Sequence, residues 1–275
     1  MQMQRLHGLS GGRLHVRAAD ASLAEAASSL VEPFLDSGER CGELLAFGGG
    51  RAYLKAGPLT GKARWRHGAR RHVLRRRLPR LQEYANLRWL RERIFQAPDP
   101  LAGGVLWGGG LPRYQFLLTA EVDGAADYEE RFPDAPAELR RGWISELARE
   151  VGRMHALRFV HRDLFPRNLL VLPSDRPRRI VFLDAWAGGP GAGRRGPAYD
   201  LACLFLDGAE QWTVDEQRLF LRTYVAARAI EDRVPGAGFA AKVQRERKSL
   251  LRRLARDPAR LRGRPMPGEW SYPST

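Results

Sequence analysis

The run His161-Arg162-Asp163-Leu164-Phe165-Pro166-Arg167-Asn168-Leu169-Leu170-Val171 constrains this chain more than any other stretch. It reads H-R-D-x-x-x-x-N and continues into an apolar strand. A second apolar run, Ile180-Val181-Phe182-Leu183, ends in Asp184. Pairing the two strands would return Asp184 to Asn168. An amide oxygen and a carboxylate could then hold one Mg²⁺ while Asp163 orients an attacking hydroxyl, which is the set that phosphoryl transfer from ATP requires. Taken singly, Asp163 reads as a loop cap, Asn168 as a turn hydrogen bond and Asp184 as a strand-end cap. Their joint spacing outweighs those readings.

Around this motif the chain is long enough for two lobes, with 275 residues of which 44% are apolar. Its net charge of +15 is unusual and calls for a polyanionic partner: nucleic acid, an anionic membrane surface or a phosphorylated substrate. Cys41 and Cys203 are the two cysteines, too few for a disulfide framework and without metal-ligand spacing, so they read as small core residues. The first 14 residues lack a signal peptide's apolar stretch, and no run of about 18 apolar residues predicts a membrane-spanning helix.

Residues 22–35 predict a helix that Pro33 ends or borders. Leu44–Phe47, the triplet Gly48-Gly49-Gly50 and Ala52–Lys55 predict a tight hairpin. Asp36–Arg40 is the other stretch that could cover a nucleotide, and the sequence does not choose between it and the glycines. Residues 62–80 hold nine Lys or Arg and no acid, interleaved with Trp65, Val73, Leu74 and Leu78. A solvated helix face mixes signs, so this run favours an anion-facing role. From Leu81 the pattern is helical, with a stripe at Leu81, Ala85 and Trp89. Strands are predicted at 104–107 and 114–119, a linker at 121–124, and helices near 125–131, 137–158, 199–206, 214–230 and 239–262. Residues 188–197 read as a loop, and the proline-rich tail from Pro265 as frayed.

With these elements in place, the chain resembles the protein-kinase-like fold. Within it, the chain is most similar to the lipopolysaccharide core kinase family that phosphorylates Kdo or heptose. Four segments carry the resemblance: Arg51–Lys55, Glu83-Tyr84-Ala85-Asn86-Leu87, Leu117–Glu121, and Val160–Leu164 with the Asn168 strand. Asp184-Ala185-Trp186-Ala187 departs from D-F-G, and the His-Arg pair common after this aspartate in core-sugar kinases is missing.

The resemblance implies an α+β fold in two lobes. Residues 1–122 would form a small β-rich N-lobe, and 123–275 a mainly helical C-lobe. It implies ATP and Mg²⁺ as cofactors and Asp163 as catalytic carboxylate. Asn168 and Asp184 would be metal ligands, and Lys55 would bind the α- and β-phosphates while paired with Glu83. A long basic loop would span the interval between Lys55 and Glu83. Backbone groups from Glu121 to Asp123 would meet the adenine edge. Arg194 and Arg195 are candidate bidentate contacts to an anionic sugar. Asp200 would hydrogen-bond the catalytic loop, His161 would be a packed structural histidine, and Arg162 would pair with an acid near 186–198.

The acceptor implied is a lipopolysaccharide core sugar. The implied location is cytoplasmic, peripheral on the inner face of the inner membrane, where basic stretches at 62–80 and 242–264 suit the surface. Three other classes fit less well. A protein kinase lacks A-P-E support here, a small-molecule kinase of the aminoglycoside or choline type is disfavoured by Arg162 and the charge, and a non-catalytic nucleotide-binding scaffold has no need of Asp163. No specific nucleic-acid motif is present.

Overall fold

The computed structural model describes residues 3–9, 12–173, 178–191, 196–230, 235–236, 238–261 and 263–273. It divides into two compact units, Met1–Asp123 and Gly124–Thr275.

The first unit runs β1 (Met3–Leu9), β2 (Gly12–Ala18), α1 (Ala21–Ser37), β3 (Cys41–Phe47), β4 (Gly50–Pro58), α2 (Gly61–Leu74), α3 (Pro79–Glu92), β5 (Pro100–Gly108) and β6 (Leu111–Ala120). Six antiparallel strands form one sheet in the order β1-β2-β5-β6-β4-β3. The opening hairpin β1–β2 is absent from the sequence reading, because two short runs at a chain start carry little signal without the neighbouring strand that β2 pairs with, β5. Alternation on β4 splits its side chains cleanly. Ala52, Leu54 and Ala56 are buried against Ala24, Ala27, Val31 and Leu35 of α1. Arg51, Tyr53 and Lys55 therefore share the opposite face.

Pro33 lies inside α1, contrary to the expected stop. One missing N–H is a small loss beside a continuous apolar face, so the helix continues to Gly38, whose φ of 70° ends it and whose N–H bonds the Phe34 carbonyl. Asp36–Arg40 is thus a helix end leading into β3. The glycine triplet forms the predicted hairpin turn, with Gly48 and Gly49 at φ 58° and 82°, as a type I′ turn requires.

The interval between Lys55 and Glu83 is not a long loop but contains α2. Arg64 donates to the Gly108 carbonyl at 2.9 Å, and a His72 ring nitrogen lies 2.9 Å from that of Gly110, so both fasten α2 to the β5–β6 turn. Gly68 lies so near that turn that a Cβ would stand 2.5 Å from Leu111 Cδ2. On α3 the expected stripe is rotated. Leu81, Ala85 and Trp89 are half-buried, while Glu83, Tyr84, Leu87 and Leu90 face inward. A carboxylate occupies the buried face because it has two cations to meet there.

The second unit runs β7 (Ala126–Asp127), α4 (Tyr128–Arg131), α5 (Ala137–Ala156), β8 (Phe159–Val160), a 3-10 turn (Pro166–Asn168), β9 (Leu169–Val171), β10 (Ile180–Phe182), β11 (Gly189–Pro190), α6 (Pro197–Asp207), α7 (Val214–Ala229), α8 (Phe239–Arg256) and a second 3-10 turn (Pro258–Leu261). The segment expected to be helical near 125–131 begins as a strand. β7, β9 and β10 form a small antiparallel sheet, and β8 pairs with β11. Helices carry most of this unit, with α5 against α7 and α6 against α8. Basic α8 buries Val243, Arg247 and Leu250, and Arg247 donates to the Phe205 and Gly268 carbonyls.

The tail from Pro265 is not frayed. Trp270 stacks on Phe205 with centroids 5.0 Å apart and donates to Gln217 Oε1 at 2.8 Å. These two contacts outweigh the prolines. Cys41 and Cys203 are buried free thiols. Among the described residues no helix is long and apolar enough to cross a membrane.

Candidate active site

In the first unit, the strand places Lys55 on the face that α3 covers. Lys55 Nζ lies 2.9 Å from Glu83 Oε1, and the second oxygen, Oε2, takes Arg80 Nη1 at 2.7 Å. Glu83 is 1% exposed and Lys55 22%. A buried carboxylate with a cation on each oxygen is held in one position, so the lysine that pairs with it is held too. Arg80 is a participant that the sequence reading counted only as part of the basic run. Its i,i+3 spacing from Glu83 on a helix was the available signal.

Further along the same sheet, the Glu121 carboxylate pairs with Arg51 at 3.1 Å. The Glu121 N–H donates to the Arg51 carbonyl at 3.1 Å. That N–H is therefore committed to β4. Asp123 is exposed at the end of the unit. Tyr53, two residues before Lys55 on the same face, donates its hydroxyl to the Gly42 carbonyl at 2.9 Å.

In the second unit, β9 and β10 do what the spacing predicts. Phe182 pairs with Leu169, and Leu183 N–H donates to the Asn168 carbonyl at 2.9 Å, so Asp184 follows directly beside Asn168. Asn168 Nδ2 donates to the Asp163 carbonyl at 2.8 Å. This fixes the amide so that Oδ1, which makes no hydrogen bond among the described residues, is its free end. An amide oxygen beside a carboxylate is a hard-oxygen pair of the kind Mg²⁺ takes while keeping water and phosphate oxygens, so the residues fit that ion. Among the described residues no cluster of three or more His, Cys, Asp or Glu side chains could hold a metal alone.

The loop that begins at His161 is held by a buried carboxylate. Asp200, fully buried on α6, accepts the N–H groups of His161 and Arg162, both at 2.6 Å, and lies 3.1 Å from His155 Nε2. His155 Nδ1 is 2.9 Å from the Tyr224 hydroxyl. Burial lowers the His155 pKa, and the Asp200 carboxylate partly restores it. The loop needs this support because Arg162 has a φ of 64°, a left-handed conformation that non-glycine residues rarely adopt; Asp184, after β10, shares it at 54°.

Arg162 Nη1 reaches the Ala187 carbonyl at 3.5 Å, a long contact, and makes no ion pair among the described residues, contrary to expectation. The carbonyl end of the loop, not an acid, lies within its reach. His161 is fully buried as a packing residue, with both ring nitrogens lacking a hydrogen bond among the described residues. Burial raises the Asp163 pKa. The His161 ring, Arg167 and the Trp186 indole oppose that rise, and Asp184 adds to it. Trp186 Nε1 lies 3.2 Å from Asp163 Oδ2, a contact the sequence reading did not foresee. Arg194 and Arg195 lie outside the described residues.

The fold is that of a protein-kinase-like phosphotransferase. The chain resembles the structure of WaaP in complex with acyl carrier protein, with TM-score 0.54 and 21% identity over 90% of this chain and 89% of that one. It resembles glucosamine kinase (crystal form B) with TM-score 0.53 and 13% identity, covering 94% and 90%. A glucosamine kinase in complex with glucosamine, ADP and inorganic phosphate gives TM-score 0.52 and 14% identity, covering 94% and 90%. Residues 53–224 match the lipopolysaccharide kinase (Kdo/WaaP) family, and the chain belongs to that family. It is a kinase, transferring a phosphoryl group to an alcohol acceptor on a sugar. No curated protein matches it.

Proposed function

We propose that this kinase transfers the γ-phosphate of ATP to a Kdo or heptose hydroxyl of the lipopolysaccharide inner core, with Mg²⁺, on the inner face of the inner membrane. The observation that carries the reading is the Asp163 loop. Its carboxylate is half-buried, one oxygen is held by Trp186, and Oδ1 makes no hydrogen bond among the described residues. That oxygen would accept the acceptor hydroxyl's proton as the hydroxyl attacks phosphorus in line, while the bridge to ADP breaks. Burial raises the basicity of Asp163 toward that task. Lys55, positioned by Glu83 and Arg80, would bind the α- and β-phosphates. Asn168 Oδ1 and Asp184 would hold Mg²⁺, which when bound neutralises phosphate charge. The neighbouring glucosamine kinase, described with its sugar, ADP and phosphate, supports a nucleotide and sugar pair.

The test is transfer of labelled γ-phosphate from Mg·ATP to dephosphorylated core lipopolysaccharide. Label is expected in the glycan, falling at least about 1,000-fold in Asp163→Ala, on the order of a lost general base with its positioning. Label in a protein acceptor instead, or glycan labelling unchanged by Asp163→Ala, overturns the reading.

A further inference from the structure

The cations of α2 and of the three residues after it have no part in the chemistry proposed above and, apart from Arg64, make no side-chain hydrogen bond or ion pair among the described residues. From Gly61 to Arg77 the chain carries Lys62, Arg64, Arg66, Arg70, Arg71, Arg75, Arg76 and Arg77 without one Asp or Glu. Arg64 is spent on the Gly108 carbonyl. Among the described residues the other seven make no ion pair. Their field is felt nearby. The His67 pKa is lowered by burial and then by Arg66 and Arg70, and that of Arg17 by burial and then by Arg77 and Arg71. Like charges gathered without a counter-charge raise the free energy of the chain until an external anion arrives.

The same helix exposes apolar side chains. Trp65 is 67% exposed, Val73 77% and Leu74 57%. Arg64, Gly68 and His72 face the β5–β6 turn. Roughly 100° around the helix from that packed row runs Trp65, Ala69 and Val73, and beyond it, on the far side, Lys62, Arg66 and Arg70, two parallel rows with a four-residue repeat, all exposed.

We propose that α2 docks this protein on an anionic lipid bilayer, with Trp65 and Val73 entering the headgroup boundary and Lys62, Arg66 and Arg70 meeting lipid phosphates. An apolar row beside a cationic row, with tryptophan among the apolar residues, is the pattern of a helix lying in a membrane interface. A nucleic-acid backbone satisfies the cations but leaves Val73 and Leu74 in water. A protein partner of ordinary specificity asks for a contiguous apolar centre, whereas this row is narrow and bordered by charge. The inference rests on the membrane location proposed above and deepens it by naming the surface that docks; α2 holds none of the residues proposed for catalysis, so docking and phosphoryl transfer fail separately.

The experiment is sedimentation of the full chain with vesicles of phosphatidylcholine alone or with about 30% phosphatidylglycerol, in about 0.1 M salt. No sugar acceptor is present, so failure here counts against the membrane location and leaves the phosphoryl-transfer reading to the labelling experiment. Binding is expected with phosphatidylglycerol only. Arg66→Gln/Arg70→Gln should weaken partitioning about 30-fold, from about 1 kcal/mol per near-surface cation. Trp65→Ala/Val73→Ala should weaken it at least about tenfold. All four side chains are exposed, so melting temperatures should stay within about 2 °C of the wild type. Equal binding to neutral vesicles overturns the proposal. So does vesicle binding that ignores Trp65→Ala/Val73→Ala, which would reduce α2 to a generic cationic surface. Binding to duplex DNA or polyglutamate in place of vesicles overturns it too.

Discussion

Asp200→Asn should disable the catalytic loop from beneath. Asp200 is fully buried, and its two oxygens take the His161 and Arg162 N–H groups at 2.6 Å each, with His155 Nε2 at 3.1 Å. Hydrogen bonds to a charged acceptor contribute roughly 1.5–3 kcal/mol each, and a buried donor left unpaired costs about 1–3 kcal/mol. Asparagine accepts through one oxygen only, and since Oδ1 takes the Arg162 N–H and Oδ2 the His161 N–H, its NH₂ group would face a loop N–H in either orientation. One charge-assisted bond is lost and one buried donor is orphaned, so the loss should be about 3–5 kcal/mol. For a unit of this size that is a melting-point drop of about 10 °C. The loop has a reason to move once released, because Arg162 is held at φ 64°. Turnover should therefore fall at least about 100-fold at a temperature where the variant is still folded, and the KM for ATP should rise far less than that, since Lys55 and Glu83 belong to the other unit and the β9–β10 pairing still sets Asn168 beside Asp184. Thermal melts and steady-state kinetics on the same preparation decide the matter. A melting point within about 2 °C of wild type, together with turnover within about threefold, would refute the argument that Asp200 holds the loop.

Two further substitutions probe the buried charges. Glu83→Gln should raise the KM for ATP about tenfold, one charge-assisted contact's worth, by releasing Lys55. Its stability cost should be about 1–2 kcal/mol, below that of a fully buried pair because Lys55 and Arg80 are partly solvated; an unchanged KM would remove Glu83 from the nucleotide-binding set. His155 should make stability depend on pH. Its folded pKa lies below the ordinary value of 6.5, so below that pH the unfolded chain binds a proton that the folded chain does not, and stability falls as the pH drops from about 6.5. Denaturant titrations between about pH 5.5 and 7.5 should show a slope that His155→Gln flattens, and an equal slope in the variant would contradict it.

That Asp163, Asn168 and Asp184 come together was legible because their spacing is local. Asn168 follows Asp163 by one turn of chain, and a short strand pair returns Asp184 to it, so a linear pattern encodes the geometry. The hairpin before Lys55 was legible for the same reason, through glycines that alone adopt its turn comfortably. Pro33, the basic interval and the tail misled the reading in a common way. Each carries a local signal of irregular backbone, and each is overruled by burial against a partner distant in sequence: Pro33 by the sheet under α1, the basic run by the β5–β6 turn, and the prolines of the tail by Phe205 and Gln217.

By itself the sequence determined the family, the charge and which residues are proposed for catalysis, because these reside in residue identity and short spacing. Tertiary structure alone decided that Arg80 shares Glu83 with Lys55 and that Trp186 touches Asp163. The expected bond between Asp200 and the loop is there, and the structure adds that the His161 and Arg162 N–H groups both converge on it, across 39 and 38 residues. It also decided which side of α2 is free. A helix's own pattern says that it has two faces. Only what packs against one of them, here Gly108, Gly110 and Leu111, says which face remains for water or a partner.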